Sequence, residues 1–184
     1  MKKTGIIIVA VIIVLGILMV NSYNNLVELE ESVDSAWAQV ENVLKRRADL
    51  IPNLVNTVKG YASHEEEVLT QITEARSSFN RANTPREYAE ANAELERALS
   101  NLYVVVENYP ELKASENFSN LQYELAGTEN RISTERMRYN EAVQKFNTTI
   151  KRFPTNILAN IFGFEPKQYF EIDEKDSEVP QVNF

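Results

Sequence analysis

The sequence predicts an all-α protein in which an N-terminal transmembrane helix is followed by an up-and-down antiparallel four-helix bundle with two long and two shorter helices. Three observations predict this fold class. An uninterrupted apolar run lies near the N-terminus, apolar residues recur at helical spacing through most of the remaining chain, and the body of the chain lacks strand signals. The connections between the predicted helices are short, which favours antiparallel neighbours.

The composition excludes several classes of function. With 184 residues, 43% hydrophobic and 25% charged, the chain has the make-up of one folded domain. The absence of cysteine excludes disulfides, thiolate metal sites and a cysteine nucleophile, and a single histidine leaves little room for a catalytic triad. The formal net charge of −8 repels nucleic acid and anionic lipid headgroups, so no nucleic-acid partner is expected.

Residues 1–22 are predicted to be a transmembrane signal anchor. The apolar run from Gly5 to Val20 is about 24 Å long as a helix, near the short end of what spans a bilayer, and Tyr23 suits the headgroup level. A cleaved signal peptide is the competing interpretation. The run is followed neither by a small-x-small cleavage pattern nor by a cysteine for lipoprotein processing, which favours the uncleaved anchor.

The distribution of charge predicts the orientation of this anchor. Lys2 and Lys3 precede the apolar run, and the next basic residue after it is Lys45. Because basic residues are retained on the cytoplasmic side, the N-terminus is expected in the cytoplasm and the bulk of the chain across the membrane. The protein is therefore predicted to be a single-pass membrane protein with an extracytoplasmic domain.

The predicted bundle covers residues 23–153, and its first helix covers residues 24–60. A heptad series runs along this helix, with Arg47 as its one charged member: Leu26, Val33, Val40, Arg47, Leu54 and Tyr61. Pro52 is expected on the outward face, where it bends the helix without leaving a buried backbone group strained.

Capping signals set the boundaries of the two shorter helices. Ser63 with Glu66 predicts a capping box at the start of the second helix, which continues to about Ala82. Thr84, Pro85 and Glu87 predict the start of the third, which Pro110 is expected to end.

The fourth helix is predicted to begin at Ser115 and to stop at Pro154. Its strict seven-residue apolar repeat predicts a left-handed supercoil, as in a coiled coil, and consists of Phe118, Leu125, Ile132, Tyr139, Phe146 and Phe153. The two short helices cannot cover the two long ones along their whole length. The apolar stripe of the first helix is therefore expected to be only partly covered, which favours self-association.

Several motifs resemble the LemA family. They lie in order from about Tyr23 to Phe170: Tyr23–Val27, Ala36–Glu41, Lys45–Val55, His64-Glu65, Glu129–Ile132, Tyr139-Asn140, Phe146-Asn147 and Phe153–Asn156. The resemblance implies a bacterial helical bundle anchored by a single span, with no established catalytic activity. One branch of the family takes part in building an intracellular membrane organelle, the magnetosome.

The chain contains no recognisable catalytic constellation. A di-iron bundle needs Glu-x-x-His pairs, which are absent, and the single His64-Glu65 pair lacks the second histidine of a zinc-protease motif. Neither a Gly-x-Ser-x-Gly motif nor a phosphate-binding glycine loop occurs. We therefore expect no enzyme activity, no catalytic or metal-ligating residues and no cofactor, with His64 in solvent.

Three charged residues on or beside apolar series are candidates for a structural or interaction role: Arg47, Glu129 and Arg136. A buried arginine needs an acid, because an unpaired core charge costs several kcal/mol. Arg47 is predicted to pair with an acid across the bundle, with Glu129 as the leading candidate, and so to fix helix register. Alternatively, a partner or ligand surface is marked by Arg46, Arg47, Asp49 and Asn53.

Residues 154–170 form a predicted short apolar C-terminal segment, and the acidic residues 171–184 a mobile tail. Four residues of the segment share a helical face: Ile157, Leu158, Ile161 and Phe162. Two interpretations remain open. The segment covers the part of the long helices that the short ones leave exposed, or it lies in the membrane interface or joins subunits.

These observations predict a membrane-anchored, non-enzymatic interaction or scaffolding protein of the bacterial envelope. The expected partners are the lipid bilayer, a second copy of the chain and an unknown envelope protein. The alternative is a regulatory adaptor of an envelope enzyme, such as a membrane protease or a sensor.

Overall fold

The computed structural model describes residues 2–171, and all regular structure in that range is helical. The helices are α1 (Lys2–Lys59), α2 (Glu66–Arg81), α3 (Pro85–Val106), α4 (Pro110–Lys113), α5 (Glu116–Lys151) and α6 (Thr155–Phe162). The predicted all-α class and the N-terminal apolar helix are confirmed. Apart from Glu171, the predicted acidic tail lies outside the described residues.

The apolar run and the first helix of the predicted bundle belong to one uninterrupted helix. α1 has 58 residues, about 87 Å at 1.5 Å per residue, with Pro52 half-buried inside it. Among residues 2–171, α1 alone is long and apolar enough to cross a membrane. Its most apolar window has a mean hydropathy of 2.8, and none of that window is buried against protein.

The predicted start of the third helix is present and includes a capping box. Thr84 Oγ1 accepts a hydrogen bond from the Glu87 amide at 3.2 Å, and Glu87 Oε2 accepts one from the Thr84 amide at 3.2 Å. The predicted box of Ser63 and Glu66 is wrong. α2 begins only at Glu66, with Glu65 at its N-cap position, so Ser63 lies too far before the first turn to reach an unpaired amide.

The connection before α5 also differs from the prediction. α3 ends at Val106, and Pro110 begins α4 rather than ending the third helix. Proline suits a first helical turn because the amide it lacks has no partner there. The fully buried Leu112 fixes this short helix to the core.

The described residues fall into two compact units. The first comprises the chain up to Ala36 together with Arg138–Lys167. Its buried side chains come from α1, α5 and α6 and include Leu26, Leu29, Val33, Tyr139, Val143, Phe146, Ile150, Leu158 and Ala159.

The second unit comprises Trp37–Met137 and the segment from Gln168 onward. Within it α2 packs against α3, and Trp37 of α1 meets the ring of Tyr88 edge to face at 5.5 Å. The largest fully buried side chains of this unit are Leu44, Ile51, Leu54, Ile72, Leu95, Leu102, Leu112 and Phe118.

The heptad series of α1 is buried from Leu26 to Leu54, whereas Tyr61 is exposed and Val43 and Leu50 beside the series are half-buried. One expectation about apolar exposure is wrong. Phe153 lies beyond the end of α5 and is exposed, although it continues that helix's heptad spacing. Spacing alone does not show where a helix ends, and here the helix stops before its last predicted repeat.

Candidate functional site

Arg47 lies inside the core at a heptad position of α1. Only 4% of its surface is exposed, less than for several apolar neighbours on the same helix. Its long aliphatic stem fits the apolar stripe, while its guanidinium needs polar partners because it has lost its hydration.

Three side chains from two other helices supply those partners. Arg47 Nη1 donates to Asn92 Oδ1 at 2.8 Å, to Glu96 Oε1 at 3.4 Å and to Glu129 Oε2. Asn92 Nδ2 in turn donates to Glu96 Oε1 at 2.8 Å. The pairing of Arg47 with Glu129 that the sequence predicts is therefore present. Together with Asn92 and Glu96, the two residues join α1, α3 and α5. We call these four residues the Arg47 cluster.

Sequence reasoning missed the two members of the cluster on α3. A signal was available for Asn92, which lies three and seven residues before Leu95 and Leu99 and so falls on the apolar stripe of its own helix. A buried amide on such a stripe requires a polar partner. Glu96, one turn further on, had no comparable signal because it lies at the edge of that stripe.

The cluster has two carboxylates for one guanidinium. The side chains of Glu96 and Glu129 are 44% and 42% exposed, so water reaches both acids while the arginine is sealed from it. Burial raises the pKa of Glu129 above its ordinary value. The charge of Arg47 opposes this rise in pKa, and the neighbouring Glu96 adds to it.

Two spaces lie beside the cluster. A cavity of about 100 Å³, lined by Glu96, Glu129, Arg136 and Phe170 among others, has room for about three waters. Arg136, predicted at the edge of the core, is exposed there. A groove of about 320 Å³ on Arg47, Glu96 and Glu129 also includes Tyr103, whose pKa is raised by burial, with Arg47 opposing the rise.

The described side chains do not assemble a cluster of metal ligands. Within residues 2–171, no group of three or more histidine, cysteine, aspartate or glutamate side chains is placed to hold a metal ion. His64 is exposed in the turn between α1 and α2. The Arg47 cluster is suited to cross-linking three helices electrostatically.

The other residues of the predicted surface set lie outside the core. Arg46, Asp49 and Asn53 are exposed, so the structure separates them from Arg47. Arg46 Nη2 lies 3.6 Å from Glu124 Oε2 of α5. Asn53 and Glu124 belong to a groove of about 410 Å³, which we call the amide groove and which is lined by Asn53, Asn56, Thr57, Asn117, Asn120, Leu121 and Glu124.

The predicted face of α6 is divided in the structure. Leu158 is buried, whereas Ile157, Ile161 and Phe162 are exposed. The Phe162 ring lies 4.8 Å from that of Tyr23 on α1, in an edge-to-face arrangement. Phe164 adds a second contact to Tyr23 at 5.9 Å and one to Phe146 at 6.3 Å.

Residues 164–167, which follow α6, are fixed by contacts that sequence reasoning missed, and we call this segment the Lys167 strap. Asn147 of α5 pairs with the backbone of Lys167: Nδ2 donates to the carbonyl at 2.9 Å, and Oδ1 accepts from the amide at 2.8 Å. Lys167 Nζ also lies 2.6 Å from Glu30 Oε1. These contacts hold the chain after α6 against α1 and α5 within the first unit.

Comparison with known proteins places the chain in a family. The model of the LemA family matches residues 36–184. The chain belongs to the LemA family. The match includes the Arg47 cluster, the amide groove and α6, and it confirms the resemblance seen in the sequence motifs.

Curated relatives include magnetosome proteins. The LemA-family chain is 26% identical over 175 residues to magnetosome protein MamQ 2 of Paramagnetospirillum magneticum, covering 81% of this chain and 64% of the relative. It is 23% identical to MamQ of Magnetospirillum gryphiswaldense, covering 80% and 64%. Protein LemA of Metamycoplasma hominis is 25% identical, covering 85% and 74%. The chain thus spans just under two thirds of the length of the magnetosome relatives.

Proposed function

We propose that this LemA-family protein is a membrane-anchored, non-enzymatic interaction protein that displays a four-helix bundle on the bacterial envelope. The uninterrupted α1 supports this proposal. The helix is suited to lipid at its N-terminal end and continues without a loop into the packed part of the protein. Such a helix holds its folded part close to the bilayer rather than on a flexible tether.

In the proposed bundle α1, α2, α3 and α5 are antiparallel neighbours. The Arg47 cluster supports this arrangement, because α3 and α5 both supply acids to one arginine on α1. The guanidinium of Arg47 reaches its partners only when the helices are aligned in one way, so the cluster sets the register between them. The cluster is therefore a structural device, and the interaction surface lies elsewhere.

The observation that carries the functional proposal is the amide groove beside Arg46. Four asparagine side chains line it, and each has donors and an acceptor that match the backbone of a bound protein segment. Asn53, Asn56, Asn117 and Asn120 lie around the mouth of this groove rather than inside the core. We propose that the groove binds a protein segment, either of a second copy in a self-assembling scaffold or of another envelope protein.

Site-specific crosslinking in intact membranes tests the groove. Because the chain has no cysteine, Asn120→Cys is a unique attachment site for a photoactivatable crosslinker. Val104→Cys, on an exposed position of α3, is the matched control. We expect an adduct from the groove position that the control does not give and that the added change Asn53→Ala weakens.

The mass of the adduct separates the two versions of the proposal. An adduct of two copies of this chain supports self-assembly, and one with a different envelope protein supports the adaptor role. Equal adducts from both positions, or none from the groove, would refute the interaction surface.

The proposed orientation rests on Lys2 and Lys3, before the apolar run. It places the bulk of the chain outside the cytoplasm. An impermeant maleimide applied to spheroplasts is expected to label Val104→Cys. Labelling that requires lysis would reverse the orientation.

A further inference from the structure

A group of large apolar side chains is exposed on α6. Ile157 and Ile161 are exposed, as is Phe153 just before the helix, and Phe162 is half-exposed although its ring packs against that of Tyr23. So many exposed apolar side chains in so short a segment mark a surface that meets something other than water.

This apolar surface lies at a defined distance from the end of the apolar run. Tyr23 is three residues beyond Val20, about 4.5 Å further along α1. The Phe162 ring is 4.8 Å from that of Tyr23. Since the headgroup layer is about 5–8 Å thick on each side of the hydrocarbon, Phe162 lies at headgroup depth when the run spans the bilayer.

The local charge suits a membrane surface, although the whole chain is acidic. Lys151 and Arg152 are both exposed, and no acidic residue occurs from Lys151 to Phe164. Exposed basic residues beside an apolar helix face are attracted to anionic headgroups. The net charge of −8, which predicts repulsion from such lipids, does not describe this segment.

The protein holds α6 firmly from its other side. Leu158 and Ala159 are buried, and Gly163 ends the helix in the left-handed conformation at φ 76°. A side chain at that position is strained, so glycine allows the immediate turn that brings Phe164 onto Phe146. The exposed residues are therefore presented on a fixed element.

We propose that α6 is a second membrane contact, in which Ile157, Ile161 and Phe162 enter the headgroup layer beside the α1 span while Lys151 and Arg152 meet anionic lipid. This inference rests on the proposed membrane anchor. The continuity of this surface with the apolar run favours lipid over a second copy of the chain. Together the two contacts restrict the tilt of the protein on the membrane.

Depth-dependent fluorescence quenching tests the proposal on the full chain. Single cysteines at Ile161, Val104 and Leu15 are labelled with an environment-sensitive dye and reconstituted in vesicles of phosphatidylcholine and phosphatidylglycerol containing spin-labelled lipid. Ile161 and Val104 are matched in exposure, at 64% and 71%, and Leu15 reports on the span. We expect quenching at Ile161 to exceed that at Val104 by about threefold or more.

A second arm tests the charge. Changing Lys151 and Arg152 to Gln together is expected to remove the increase in quenching at Ile161 that phosphatidylglycerol causes. Both side chains are exposed, so the substitutions leave the fold intact. Quenching that responds to phosphatidylglycerol equally in the parent and the variant overturns the assignment of these two residues.

The possible failures are distinguishable. Strong quenching at Leu15 with only control-level quenching at Ile161 overturns the second contact and leaves the anchor intact. No quenching at Leu15 overturns the anchor itself. A blue shift at Ile161 without quenching, which disappears on dilution of the protein with lipid, identifies a second copy as the occupant and refutes lipid.

Discussion

Arg47 and Asn92 are joined across the core by a hydrogen bond of 2.8 Å from Nη1 to Oδ1. The amide of Asn92 also donates to Glu96, so one neutral side chain links the guanidinium to an acid on the same helix. Burying a complete ion pair costs much desolvation energy, but both acids here keep part of their hydration. The arrangement thus neutralises one fully buried charge with two acids that are only partly desolvated.

This asymmetry predicts unequal effects of removing the partners. Arg47→Met is expected to destabilise the protein by about 2 kcal/mol, because the buried Asn92 Oδ1 loses its donor and two acids are left close together without a neutralising charge. Glu129→Gln leaves the charge of Arg47 balanced by that of Glu96 alone. We expect it to lower the free energy of unfolding by less than about 1 kcal/mol at pH 7. In a double-mutant cycle measured by urea unfolding, the coupling energy should reach about 1 kcal/mol or more.

The exposed pair of Arg46 and Glu124 is the control for that cycle. The same helices carry it, at 3.6 Å, but both of its side chains are more than half exposed. Its coupling is expected to stay below about 0.5 kcal/mol. Equal coupling energies for the two pairs would show that the burial of Arg47 does not strengthen its interaction with Glu129. A direct swap of charges at 47 and 129 is a weaker test, because it places a glutamate against Glu96.

The raised pKa of Glu129 predicts a pH dependence of stability. The folded protein keeps a proton on this carboxyl after the unfolded chain has lost it, so the related stabilisation is complete below the ordinary value near 4.5. It is lost as the pH rises from there through the raised value. Urea midpoints between pH 4 and 7 should therefore fall less steeply in Glu129→Gln than in the parent. If the urea midpoint falls equally steeply with pH in the parent and in Glu129→Gln, the pKa of Glu129 is not raised in the folded protein.

Local patterns in the sequence were enough to predict part of this structure. The heptad of α5 from Phe118 to Phe146 is buried as expected, since helical period and burial follow from the same spacing. The partner of Arg47 was predictable because a charge on an apolar stripe demands an acid. The Lys167 strap was not, since its bonds with Asn147 involve backbone groups, which are common to all residues and leave no mark in a sequence.

The two predicted helix starts, at Ser63 and at Thr84, show the same limit and give a direct test. Both have the right residues, but only Thr84 lies at the start of a helix in the structure. Thr84→Ala is expected to lower stability by about 1 kcal/mol through the loss of its bond to the Glu87 amide. Ser63→Ala, at an exposed turn position, should change it by less than about 0.5 kcal/mol. If Ser63→Ala lowers the melting temperature more than Thr84→Ala does, a capping box at Ser63 contributes to stability and the structural assignment is contradicted.

The strap after α6 predicts a strong effect from one polar side chain. Asn147 is buried, and Asn147→Ala leaves both the amide and the carbonyl of Lys167 without the partner they have in the structure. We expect a loss of about 2 kcal/mol, since each lost bond is worth about 1 kcal/mol. Hydrogen exchange at the Lys167 amide should speed up together with that of Phe164, which bonds to Ala159 of α6. Asn80→Ala, on an exposed position of α2, is the control and should leave both rates unchanged. If the amide of Lys167 exchanges equally fast in the parent and in Asn147→Ala, the side chain does not hold the strap, and α6 is positioned by its apolar and aromatic contacts alone.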